Sequence, residues 1–84
     1  MDSMATKKIV NNLRDHRIAA GMEQSDVASL LGLASTDRIS IWETGDMYPH
    51  LINLFKLAII YNTTAEKLYR ELYEELKQQT PTPS

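Results

Sequence analysis

The stretch Gln24–Gly45, QSDVASLLGLASTDRISIWETG, constrains this chain more than any other. Val27, Ala28, Leu30 and Leu31 cluster at helical spacing and predict a helix over Gln24–Leu31. Gly32 follows at once, where a helix end favours a residue that tolerates positive φ. A second helix starts from an N-cap at Ser35 or Thr36 and runs to about Thr44, with Ile39 and Trp42 three apart on one face. Gly45 stops it. Two helices this short bury no apolar face alone, so the rest of the chain must frame them.

That frame is legible on both sides. Thr6 predicts an N-cap for a first helix over about Lys7–Ala20, with the stripe Ile9, Leu13, Arg17, Ala20 and Val10 beside it. Gly21 ends it, and Met22 drops toward the core. Glu23 is a weak cap for the next helix. Asp46, Met47 and Tyr48 form a loop closed by Pro49, which fits a helix's first turn. A fourth helix over about Pro49–Tyr61 is apolar on nearly all sides and is expected to be the central core helix. Thr63 with Glu66 reads as a capping box for a fifth, long helix over about Thr64–Gln78. Residues 1–5 and 79–84 are expected to be disordered, and residues 6–78 to form one all-α domain of five helices.

Composition removes several function classes. There is no cysteine, so no disulfide framework and no thiolate metal site, and the two histidines lack ligand spacing. No metal and no cofactor is expected. No apolar run approaches the ~20 residues of a membrane span, and no signal-peptide pattern is present, so a cytoplasmic location is the expectation. Nothing supports an enzyme: Gly21, Gly32 and Gly45 are helix stops, not a phosphate-cradling loop. The net charge of −2 argues mildly against nucleic acid, but its distribution is uneven. Lys7, Lys8, Arg14, Arg17 and Arg38 lie in the first half, whereas Glu66, Glu71, Glu74 and Glu75 gather near the C-terminus; the first half also carries Asp2, Asp15, Glu23, Asp26, Asp37 and Glu43, so a modest positive patch at best is expected.

Gln24–Gly45 has the layout of a helix-turn-helix, in which the second helix enters a DNA groove. The motifs L-R-x-x-R-x-x-x-G at Leu13, Arg14, Arg17 and Gly21, then Gln24, Ala28, Leu31 and Gly32, extend the likeness. So do I-S-x-W-E-x-G at Ile39–Gly45, Pro49, and L-x-K-L-A at Leu54–Ala58. Together they resemble the Cro/repressor (Xre-type) helix-turn-helix family over roughly Leu13–Leu68. The resemblance implies a compact lambda-repressor-like DNA-binding domain, here with an extended C-terminal helix. It implies that Gln24 touches a phosphate and braces the recognition helix, and that Arg17 and Glu43 form an internal salt bridge. Two departures stand out: the turn from Gly32 to Ile39 is one residue longer than the family's commonest, and the loop after Gly45 is acidic where the family's is usually basic.

Ile39 and Trp42 point inward by spacing, which leaves Thr36, Asp37, Arg38, Ser40, Ile41 and Thr44 outward or flanking. Arg38 is the best base reader, because arginine grips guanine O6 and N7 bidentately. Thr36 and Ser40 bond bases or phosphates, Ile41 meets a thymine methyl, and Thr44 suits a phosphate. Asp37 favours a helix N-terminus but repels phosphate. Ser35 and Tyr48 complete the candidate DNA-binding set with Gln24. The stripe Leu68, Tyr69, Leu72, Tyr73, Leu76 is longer than capping a small core requires. One expectation is a homodimer interface that sets two recognition helices ~34 Å apart; the other is packing on the first and fourth helices. The expected function is a sequence-specific, homodimeric transcriptional regulator, a repressor, on double-stranded DNA. The alternative is an antitoxin or adaptor on the same fold that docks a protein partner through the fifth helix.

Overall fold

The asparagine pair Asn11–Asn12 decides where the first helix begins. In a computed structural model, which describes residues 8–83, α1 spans Leu13–Ala19 rather than reaching back to Lys7. The predicted cap Thr6 and the N-terminal residues 1–5 lie outside the described residues. Asn11 Oδ1 accepts Leu13 N–H at 3.0 Å, a local turn that competes with helix and starts α1 late. Residues 8–12 are instead non-helical and lie against the body, where Ile9 N–H donates to Gly45 O at 2.8 Å. The stripe spacing from Ile9 to Leu13 is real but is bridged by turn, not helix.

α2 (Gln24–Leu31) and α3 (Asp37–Thr44) fall where the sequence places them. The weak cap at Glu23 is mended by Asp26, whose carboxylate accepts Glu23 N–H at 2.8 Å. Gly32 ends α2 at φ 73°, and Gly45 ends α3 at φ 87°. α4 (Leu51–Ile60) is capped by His50 and ends in a turn with Asn62 at φ 53°, where Thr63 N–H donates to Ala58 O at 2.9 Å. Asparagine is among the few side chains that tolerate that region.

The expected long fifth helix is two helices, α5 (Ala65–Leu68) and α6 (Arg70–Gln79). Thr64, not Thr63, is the cap; its hydroxyl accepts Lys67 N–H at 3.2 Å. The break has an identifiable cause. Asn12 N–H takes Leu68 O at 2.8 Å and Asn12 Nδ2 takes Lys67 O at 3.1 Å. Those carbonyls would otherwise bond Leu72 and Glu71 in a continuous helix. Tyr69 sits at the break with φ −127° and ψ 51°. α6 runs to Gln79, one residue into the expected tail, and 80–83 are exposed and non-helical.

All six elements are helices, and no strand occurs among the described residues. Each of α1–α5 supplies one fully buried side chain: Leu13, Val27, Ile39, Leu57 and Leu68. Trp42, Ala28, Ala58, Tyr61 and Tyr69 complete the core; α6 adds no buried residue. α4 is not the all-round core helix expected. It packs on α2 and α5 through Leu54, Leu57, Ala58 and Ile60, and its opposite side is bare. In this packing Leu68 and Tyr69 belong to the core and Leu72 is half-buried against it, so the five-residue interface expected for the fifth helix keeps only Tyr73 and Leu76 exposed. No helix among the described residues is long and apolar enough to cross a membrane.

Two outcomes follow. A Cβ on Gly45 would overlap the Ile9 carbonyl and lie 2.8 Å from Ile9 N, whereas Gly32 has open space around it. Gly32→Ala should cost only the ~1–2 kcal/mol of left-handed backbone strain, and Gly45→Ala clearly more, read as urea midpoints. Separately, the buried Tyr69 hydroxyl has no hydrogen-bond partner among the described residues. Tyr69→Phe should therefore stabilise by roughly 1 kcal/mol. Burial, with a smaller contribution from Tyr48, pushes the Tyr69 hydroxyl up to about 12; burial, then the Glu43 charge, does the same for Tyr61. Unfolded tyrosine ionises near 10, so the unfolded chain binds fewer protons above that pH. Stability should be full below pH ~10 and fall between ~10 and ~12, less steeply in Tyr69→Phe.

Candidate nucleic-acid interface

α3 is a rod with one side locked and one side open. Ile39 and Trp42 are buried on the locked side. Helical periodicity puts Glu43 beside them and leaves an outward arc that runs Ser40, Thr44, Asp37, Ile41, Arg38. Arg38 is exposed at one edge of that arc, and no ion pair or hydrogen bond engages it among the described residues. Ile41 is exposed next to it, and Ser40 is half-buried.

The locked side is held by charge as well as by packing. Arg17 Nε donates to Glu43 Oε2 at 2.6 Å and Arg17 Nη2 to Glu43 Oε1 at 3.0 Å, a bidentate pair with both side chains largely shielded from water. Arg17 Nη1 also donates to Met22 O at 3.0 Å. The hydrogen bond to Glu43 raises the Arg17 pKa above its ordinary value against the opposing effect of burial. Gln24 Nε2 completes the cluster with a 3.0 Å bond to Glu43 Oε1. One carboxylate on α3 thus ties down α1 and the start of α2. Of the two roles implied for Gln24, the geometry contains the brace, and its amide is committed to it.

The ends of α3 are held by different chemistry. Ser35 Oγ accepts Asp37 N–H at 3.3 Å, while Thr36 at the N-cap position is half-buried and makes no side-chain capping bond. Asp37 is exposed in the first turn. At the other end Asn11 Nδ2 donates to Trp42 O at 3.2 Å, which also accepts Gly45 N–H at 3.1 Å, and lies 3.4 Å from Glu43 O, so the last carbonyls of α3 gain a side-chain donor. Sequence reasoning missed Asn11; the signal was two consecutive asparagines, strong turn formers, inside a supposed helix.

Thr44 is not a free phosphate donor. Its hydroxyl lies 2.8 Å from Asp46 Oδ2 and 3.1 Å from Ile41 O. Asp46 also pairs with Lys8, and the Lys8 and then the Thr44 bond hold its carboxyl below the usual range. The acidic character of this loop is thereby offset by a lysine from the extended segment. Tyr48 is exposed, with its ring tilted 54° against Tyr69 at 6.1 Å between centroids. Arg38, Ile41, Asp37 and Ser40 are brought together on one side, and Gln24 and Thr44 are turned to internal bonds. Ser35 and Thr36 precede the helix, and Tyr48 lies beyond its other end.

Among the described residues no group of histidine or acidic side chains is arranged to hold a metal ion. No family model matches this chain, nor does any curated protein or any solved structure.

Removal of one partner from a shielded ion pair strands the other charge. Glu43→Ala should cost about 3 kcal/mol or more of unfolding free energy. Arg38→Ala, on the open side, should fall within about 0.5 kcal/mol of the parent. Paired urea titrations with circular dichroism read both.

Proposed function

We propose that this chain is a sequence-specific DNA-binding transcriptional regulator built as a lambda-repressor-like helix-turn-helix domain. α3 enters the major groove with its outward arc against the bases. The observation that supports this reading most is the division of α3: Ile39, Trp42 and the Arg17–Glu43–Gln24 cluster fix its inner side, and Arg38 stands exposed on the outer. A rigid rod with an uncommitted arginine has the form that base readout requires, since orientation must be fixed before a bidentate contact discriminates. Arg38 reads a guanine, and Ile41 beside it meets a thymine methyl. Near the C-terminal end of α3 Arg17 is committed to Glu43 and Lys8 to Asp46, so backbone contacts are few and the salt dependence is shallow. Two copies on adjacent half-sites compensate for the modest footprint of one. No catalytic activity and no cofactor belong to this reading.

A second reading is an antitoxin or adaptor that binds a protein. It is favoured by an apolar groove of about 350 Å³ between the α3–α4 loop and α5–α6, floored by Leu54 and Tyr69 and rimmed by Tyr48, Leu72, Tyr73 and Leu76. Glu71, Glu74 and Glu75 on α6 would select a basic, amphipathic segment. Both activities fit one protein, because the two surfaces are separate.

Selection from a random duplex library at low salt, followed by anisotropy titration, tests the first reading. The expected result is an enriched motif that contains a guanine. Arg38→Ala should weaken binding to that motif by roughly 10- to 100-fold, the worth of one bidentate base contact, and relax the preference at that guanine. Absence of saturable, salt-sensitive binding to any pool would overturn it.

A further inference from the structure

The outer side of α4 is an apolar surface left without a role. Leu51 is 61%, Ile52 57%, Phe55 54% and Ile59 77% exposed, on the side turned away from Leu57. At ~150–250 Å² for a large side chain, the four present roughly 400–600 Å² of apolar surface. That is as large as the largest patch of a typical monomer. It is also at least half of the ~800 Å² that each partner of a standard dimer buries.

We infer that this face is covered by the same face of a second copy, with the two α4 helices antiparallel about a two-fold axis at Phe55. The register favours it. Ile52, Phe55 and Ile59 fall at i, i+3 and i+7, the spacing of a helix–helix seam. Turned about Phe55, Ile59 of one copy lies opposite Leu51 of the other, with Ile52 one residue along, and the phenyl rings meet at the axis, an isologous contact that closes on itself. Charge favours it too. Lys56 is the only charged residue of α4 and lies at the edge of the stripe, where its stem reaches out to solvent. α6 is the competing face, and it is ill suited to a copy of itself. Its Tyr73 and Leu76 are flanked by Glu71, Glu74 and Glu75, of which only Glu74 is paired among the described residues, with Arg70, so self-pairing would bring unpaired carboxylates together. An 84-residue chain with a ten-residue core gains most from such an interface. The inference names the surface for the two-copy arrangement proposed above and rests on that reading only for its purpose.

Sedimentation equilibrium of the full chain without DNA, from about 1 to about 500 µM, is the test. The parent should dimerise. Ile52→Glu with Ile59→Glu should weaken the dimer at least ~100-fold, and Tyr73→Glu with Leu76→Glu should leave it unchanged. Both pairs change exposed side chains, so circular dichroism should stay that of the parent. The chain has no cysteine, so Phe55→Cys creates a single thiol. A short bis-maleimide should then link two copies through position 55 and not through Tyr73→Cys. This arm decides the matter if the glutamate pair fails to fold. A parent monomeric throughout, a dimer that survives the α4 glutamates, or cross-linking at position 73 instead of 55 would each overturn the inference. DNA binding is measured separately, so a monomer that still binds DNA sinks this inference alone. A dimer that binds none sinks the DNA reading alone.

Discussion

Glu43 is the point on which the arrangement depends. It accepts three hydrogen bonds from two side chains on two other helices. A carboxylate shielded from water is costly unless its oxygens are satisfied, and here the satisfying groups come from α1 and α2 at once. The charge therefore specifies one packing of three helices where Ile39 and Trp42 alone would accept several. Hydrophobic burial supplies the drive to collapse; the ion pair selects the angle at which α3 is shown to solvent.

The same logic explains the poverty of hydrogen bonding on the other side of α3. The side chains of Arg38, Asp37 and Ile41 make no hydrogen bond or ion pair among the described residues. In a small domain whose buried polar groups are otherwise nearly all paired, an open arc of mixed charge, hydroxyl and aliphatic character is a surface held for something else.

Much of the central segment was legible in the sequence. Helix limits at Gln24, Leu31 and Thr44, the left-handed glycines 32 and 45, and the inward pair Ile39 and Trp42 all follow from local rules that tertiary contacts do not override here. The misses share one origin. Lys7–Asn12 was read as helix because the apolar spacing of four was weighed above two asparagines, whose side chains in fact bond to partners 31 and 55 residues away. Thr64–Gln78 was read as unbroken because its interruption is imposed by Asn12 from outside the segment. The bare side of α4 was read as core because composition cannot say how many neighbours a helix will find. In the candidate site, the Arg38 edge was legible and the diversion of Thr44 was not, since it depends on Lys8 and Asp46 meeting across the chain.

The asparagine pair also sets an order of events. Residues 8–12 leave the ribosome early, yet their partners are the end of α3 and the end of α5, synthesised much later. Contacts that close such long loops are entropically the most demanding to make. Residues 8–12 thus act as a strap across the body, tying together two helix ends that the chain itself sets far apart.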